Sequence, residues 1–523
     1  MARILVTGAR NEPGRTLALG LASTHRLRLV DDQPLGHLPI DVETLAGDIR
    51  EPSFCEDVVQ GVDVIVHLAP FSPKEDQRDD EIIDRATRGT YNLLLAAQRA
   101  GVTKIVLGST LDLFERYPAE WDPHEEWRPR PALEARQISQ FLAERSAREL
   151  SRDSALRIVC LRFDHIVDEA AIAGAPFDPR WLHRADALQA LQRALDFVPP
   201  AGGWWVFHIT ANGARTRFSA RLAAATLGYQ AEHDFHSFIK DVFTNHVPAA
   251  AQIRRGPPIA SRPIRKVVVF GAGGPLGAVV AEKLVGDYQL RLTDVRPLGS
   301  FKTEGGQVHG APIARPLPPP HENLIVDLTD WEQVRAACEG MDAIVNCSVI
   351  RNHPVEAFRV NLLGTYHMLR AAVEAGIRRV VHTGPMLHAN RSPSGYSHDF
   401  DVPNDVPFRA GTFLYGHTKV LGYEVCRLFA EEYDLEIPLL MFSQFTDPTL
   451  PDLPRNAGSA HIVSWADAGR AVRRAVEVGR LPHPFEPISI LADLPHGKYS
   501  NEKAKTVLGW YPRDSLARLW SKH

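Results

Sequence analysis

The stretch Lys266-Val267-Val268-Val269-Phe270-Gly271-Ala272-Gly273-Gly274-Pro275-Leu276-Gly277 decides the fold. A β-branched run leads into glycines spaced G-x-x-G-x-x-G, and a helical pattern over Ala278–Val285 follows at once. A turn lacking Cβ atoms lets backbone N–H groups approach a pyrophosphate, and the helix start adds partial positive charge. Gly277 would let that helix pack closely on the strand. The next extended run, Arg291-Leu292-Thr293-Asp294, ends on a carboxylate. Asp294 there can accept hydrogen bonds from an adenosine ribose and repels a 2′-phosphate. The expected cofactor is therefore NAD; Arg296, two residues on, keeps NADP as the second choice.

The same arrangement occurs earlier in the chain. Ile4-Leu5-Val6-Thr7-Gly8-Ala9 precedes Arg28-Leu29-Val30-Asp31, as Val267–Ala272 precedes Arg291–Asp294. Asp63-Val64-Ile65-Val66 matches Asp342-Ala343-Ile344-Val345, and Gly89-Thr90-Tyr91 matches Gly364-Thr365-Tyr366. Near each end, Leu227-Gly228-Tyr229 answers Leu508-Gly509-Trp510. A period this long is a duplicated domain, not a solenoid. Strands alternating with amphipathic stretches build βαβ units, so the expectation is two tandem Rossmann-type α/β domains. Each is a doubly wound parallel sheet with a small C-terminal substrate subdomain. Residues 1–247 and 264–523 are the two domains. The proline-rich stretch 248–263 is read as a linker, since closely spaced prolines break both helix and ladder.

The first glycine turn differs from the second. Gly8 and Gly14 remain, but Asn11 stands where the later copy has Gly274. Asn tolerates a left-handed backbone, so the turn can survive, although its side chain crowds a pyrophosphate. Asp31, beside Asp32, keeps the ribose position.

Composition narrows the function classes. Charge is nearly balanced, with 59 basic and 63 acidic residues, and no basic arm stands out, so nucleic acid is not an expected partner. No apolar run is long enough for a membrane span, and the start lacks a secretory pattern. The five cysteines are scattered and never paired as C-x-x-C, which points to a reducing compartment, the cytoplasm. No H-E-x-x-H or G-x-S-x-G occurs. His233-Asp234-Phe235-His236 is a lone H-x-x-H, expected at the surface rather than on a metal.

With the repeated strand, glycine turn and helix, the chain resembles the extended short-chain dehydrogenase/reductase family, in its NAD-dependent epimerase/dehydratase branch. Tyr415-Gly416-His417-Thr418-Lys419 matches that family's Tyr-x-x-x-Lys. The resemblance implies that Tyr415 exchanges a substrate hydroxyl proton. Lys419 would lower its pKa and hold the nicotinamide ribose. Asp48 and Asp327 match the family's acidic residue near the adenine, and Asn346 falls in the segment lining the cofactor. Asn361 in Asn361-Leu362-Leu363-Gly364-Thr365 matches N-x-x-G-T, where the first copy has Ala86. The family's Ser/Thr aligns with Pro385, which cannot donate a hydrogen bond; Thr383 is the nearest hydroxyl. In the first copy Ser109-Thr110 is present, but Ala135 and Ser139 align with Tyr415 and Lys419. Each half is similar in length to uronate dehydrogenase-like members. The resemblance implies an NAD-dependent oxidoreductase or epimerase acting on a sugar, sugar acid or nucleotide sugar. Its chemistry would lie in the C-terminal half, beside a degenerate N-terminal half. The alternative is a non-catalytic NAD(H)-binding scaffold or sensor. Intrachain pairing of the halves or a homo-oligomer is compatible with either. Substrate choice is expected in the loops 385–407 and 445–460.

Overall fold

In a computed structural model, the described residues are 2–39, 41–71, 77–199, 203–213, 215–239, 253, 255–301, 310–387, 402–450, 461–494 and 497–517. The chain divides into two compact units, Met1–Arg254 and Arg255–His523. Of the proline-rich stretch, 248–252 and 254 lie outside the described residues. Its later part is bonded to the second unit instead of running free: the Ile259 amide donates to Tyr433 O (3.0 Å), and Arg262 pairs with Asp342 (3.1 Å).

The first unit holds the strands β1 (Arg3–Thr7), β2 (Arg26–Asp31), β3 (Glu43–Ala46), β4 (Val64–His67), β5 (Lys104–Thr110) and β6 (Arg157–Phe163). The short β7 (His165–Val167) and β8 (Trp181–His183) follow, then β9 (Trp204–Ile209). β9 begins with the tryptophan pair Trp204-Trp205. Seven of these form one parallel sheet ordered β3-β2-β1-β4-β5-β6-β9, and β7 pairs with β8 apart from it. The strand order reverses direction beside β1, between β1 and β4, which opens a crevice at their C-terminal ends. β1, β4 and β6 are buried almost throughout, as expected where helices cover both faces.

The second unit repeats the plan with β10 (Lys266–Phe270), β11 (Gln289–Asp294), β12 (Glu322–Ile325), β13 (Ala343–Asn346), β14 (Arg379–Pro385) and β15 (Ile437–Phe442). The outlying β16 (Gln444–Thr446) and β17 (Ile462–Ser464) pair with each other, and β18 (Phe485–Ser489) closes the sheet. Its order, β12-β11-β10-β13-β14-β15-β18, is that of the first sheet, so the fold is a doubly wound α/β fold twice over. The helix after the glycine turn starts at Pro275, three residues before the apolar pattern suggested. Proline at a first helical position needs no N–H partner.

Each unit has its own apolar core. One gathers Leu17, Leu29, Leu161, Leu191 and Phe207; the other gathers Val269, Leu284, Leu292, Val472 and Trp510. Trp181 is buried among Phe235 and Ile172, and Trp465 stacks on Phe445 with centroids 4.4 Å apart, so both serve as framework. All five cysteines are free and buried. Among the described residues no helix is long and apolar enough to cross a membrane, and no His/Cys/Asp/Glu group could hold a metal. His233 is only part-exposed, with its ring 3.1 Å from the Asp186 carboxylate.

Candidate active site

Glycine shapes the turn after β10 for distinct reasons. Gly271 has φ +72°, and a Cβ there would stand 2.7 Å from the Ser348 amide. A Cβ at Gly277 would stand 2.3 Å from the Gly271 carbonyl oxygen, so only glycine lets the helix Pro275–Leu284 approach this far. A Cβ at Gly274 would make only an ordinary contact, with the Gly271 carbonyl oxygen at 3.5 Å. The first-turn amides of Leu276 and Gly277 have no carbonyl a turn behind them. Together these make a cradle for an anion over Gly274.

Asp294 borders the cradle. Its carboxylate accepts from the amides of Gly273 (2.9 Å) and Val295 (2.8 Å). Burial raises its pKa, while these amides and the Arg296 charge oppose the rise. Arg296 stacks over the Phe301 ring, 4.4 Å from its centroid. Asp327 accepts from the Thr329 amide (2.8 Å).

The other side of the crevice is built by the helix Leu414–Tyr433, whose first turn carries Tyr415 and, one turn on, Lys419. Lys419 is buried, and its ammonium donates to Ser348 O (3.1 Å) and Thr383 O (3.5 Å). Ser348 is the same residue whose amide lies against Gly271, so the glycine turn and Lys419 meet through one loop. Burial brings the Lys419 pKa down to about 8. Tyr415 is half-buried; burial raises its phenol pKa, and the charge and hydrogen bond of Arg351 act against that rise.

Asn361 holds this arrangement. It lies in one turn of π-helix, Arg359–Leu363, of a kind that often marks functional positions. Its side chain accepts from the Ile350 amide (3.1 Å) and donates to Ile350 O (2.7 Å) and the Thr418 hydroxyl (3.0 Å). It thereby ties the loop after β13 to the Tyr415 helix. Gly422 permits the approach, since a Cβ there would stand 2.6 Å from Asn361 O. Asn346 accepts from the Ser348 amide (3.0 Å), fixing the start of that loop. The Thr383 hydroxyl donates to Asn346 O (2.8 Å), so its proton is directed into the sheet. Pro385 ends β14. Of the substrate-choosing loops expected from sequence, 388–401 and 451–460 lie outside the described residues.

The matching crevice of the first unit is a cleft lined by Gly8, Asn11, Asp31, Asp48, Ser139 and Arg85. Gly8 has φ +75°, and Gly14 opens the helix Gly14–Gly20. Burial first, then a hydrogen bond with Asp32, pushes Asp31 up to about 6. Asp32 is paired with Arg85. Burial works against ionised Asp48, but the hydrogen bonds and charge of Arg50, 2.6 Å away, hold its pKa below the ordinary value. Ala135 begins the helix Ala135–Arg152 where the second unit has its tyrosine helix, and Ser139 follows one turn later. The Ser109 hydroxyl is buried without a hydrogen-bond partner. Deeper in, Arg162 and Glu144 form a buried two-pronged pair at 2.9 and 2.7 Å.

Residues 4–186 and again 267–466 match the NAD dependent epimerase/dehydratase family, together most of the chain. The chain belongs to that family. A uronate dehydrogenase of Pseudomonas putida is 28% identical over 195 residues, which are 36% of this chain and 65% of that protein's length. An NAD-dependent glucose-6-phosphate dehydrogenase of Haloferax volcanii is 25% identical over 272 residues, 48% of this chain and 95% of that one. A solved uronate dehydrogenase from Agrobacterium tumefaciens superposes with TM-score 0.41 and 21% identity, covering 47% of this chain and 92% of that one.

NAD is the family's cofactor, and the second unit fits it. A Cβ over Gly274 would make only one ordinary contact, at 3.5 Å, and the Asp294 carboxylate borders the same turn. Sequence reasoning missed Arg351. It sits in the loop after β13, with its guanidinium carbon 5.5 Å from the centroid of the Tyr415 ring. No motif marks that position. The only available signal was a cation a few residues past Asn346.

Proposed function

We propose that the second unit is an NAD-dependent oxidoreductase or epimerase acting at a hydroxyl-bearing carbon of a sugar, sugar acid or nucleotide sugar. The observation that carries this reading is the meeting of Gly271, Ser348 and Lys419 on one loop, with Tyr415 a helical turn from Lys419. Gly271–Gly277 would cradle the pyrophosphate, Asp294 the adenosine ribose, and Lys419 the nicotinamide ribose. Bound NAD supplies the acceptor or donor of a hydride. Tyr415 takes the substrate hydroxyl proton during oxidation and returns it during reduction. Asn361 keeps the loop and helix in register for that transfer. Thr383 contributes less as a polarising group, because its hydroxyl already donates to Asn346 O.

The first unit, in this reading, is a non-catalytic partner. Ala135 replaces the proton-exchanging tyrosine, and Asp48 is already engaged by Arg50. A wholly non-catalytic NAD(H)-binding protein is the second reading, favoured by Pro385 at the family's donor position. Absorbance at 340 nm, with NAD⁺ and a panel of aldoses, uronic acids and nucleotide sugars, separates the two; product analysis covers a redox-neutral epimerase. Turnover that falls about 10²- to 10⁴-fold in Tyr415→Phe, with NAD affinity retained, supports the first reading. Tight NAD binding without any turnover supports the second.

A further inference from the structure

Tyr415 has a second cation near it besides the lysine that the motif supplies. Lys419 donates to two backbone carbonyls, and burial weakens its own charged form. Position 385 is a proline with no N–H or hydroxyl to offer. Among the described residues, the cation against the Tyr415 ring is Arg351, 5.5 Å from the centroid. Its loop is held at Ile350 by two hydrogen bonds to Asn361, so the guanidinium is presented from a fixed backbone despite being solvent-exposed.

We infer that Arg351 is a positioning residue for Tyr415, held against its ring and adding there a positive charge to that of Lys419. Cation–π contact favours this placement, and a guanidinium keeps its charge at every pH at which the protein is folded. Among the described residues, the other aromatic groups near Tyr415 carry no positive charge. Phe413 meets the ring edge at 6.0 Å, and Tyr423, two turns along the helix, is a second phenol whose ionisation Tyr415 opposes. The inference rests on the reading of Tyr415 as the proton-exchanging group, but its test does not need a substrate.

Difluorotyrosine, whose phenol ionises nearer neutral pH, is placed at position 415 of the full chain, and fluorine NMR follows its titration. The account expects Arg351→Gln to raise the titration midpoint by about one to three pH units. Arg351→Lys should restore part of that shift. Because Arg351 is exposed, NAD affinity should stay unchanged in both variants and certify the fold. An unmoved midpoint in Arg351→Gln overturns the inference. Where the wild-type chain turns over a sugar, the basic limb of its pH profile should move with the midpoint. A chain with no turnover ends the oxidoreductase reading alone, and the titration still decides the role of Arg351.

Discussion

Replacing Lys419 by Met tests the electrostatics of the site most sharply, because the expected effect has a magnitude, a direction and a pH window. The ammonium is buried, and its pKa falls from 10.5 to about 8 on folding, chiefly through lost hydration. At ~1.4 kcal/mol per unit, the charge on Lys419 opposes folding by about 3 kcal/mol near neutral pH. Below pH 8 both folded and unfolded chains carry the proton, and the cost is constant. Between 8 and 10.5 the unfolded chain binds more protons than the folded one, so stability rises with pH. Lys419→Met lacks this contribution. It also loses the bonds to Ser348 O and Thr383 O, but that loss does not vary with pH. The stability of wild type relative to Lys419→Met should therefore climb by about 3 kcal/mol from pH 8 towards 10.5. Urea unfolding of the full chain, read on the C-terminal unit by brief subtilisin digestion, measures this difference. A difference that stays flat across the window would refute a buried, charge-strained Lys419.

The glycine turn yields a paired prediction. Gly277→Ala forces a Cβ against a backbone carbonyl and should cost about 1–3 kcal/mol of stability along with NAD binding. Gly274→Ala makes only an ordinary 3.5 Å contact at an ordinary φ of −75°, so it should leave the melting temperature unchanged or higher while weakening NAD. In the first unit, Glu144→Ala strands the buried Arg162 and should cost about 3–5 kcal/mol in chemical denaturation. A loss below about 1 kcal/mol there would mean that Arg162 finds water or another partner.

Much of this was legible in the sequence because the signals were local. A strand, a glycine turn and a helix with a carboxylate at the end of the next strand constrain one another, and their repetition at the same spacing implied both sheets. Tyr415 and Lys419 were legible because one helical turn fixes them on a common face. The direction in which Lys419 points its protons was not, because it depends on Ser348 and Thr383, which reach it only through the sheet. Arg351 was hidden for a similar reason: its place at Tyr415 follows from the Asn361 clamp on Ile350, a contact between segments distant in sequence. Pro385 was legible as a residue without a donor, but the direction of the hydroxyl considered in its place was not: Thr383 is bonded inside the sheet.

The central claim is that cofactor and acid–base chemistry share the second unit. Calorimetric titration of the full chain with NAD⁺, comparing Asp294→Ala with Asp31→Ala, tests it most directly. The account predicts that Asp294→Ala removes the tight NAD site and that Asp31→Ala leaves it intact. Loss of that site in Asp31→Ala, with Asp294→Ala binding as wild type does, would place the cofactor in the wrong unit and contradict the account.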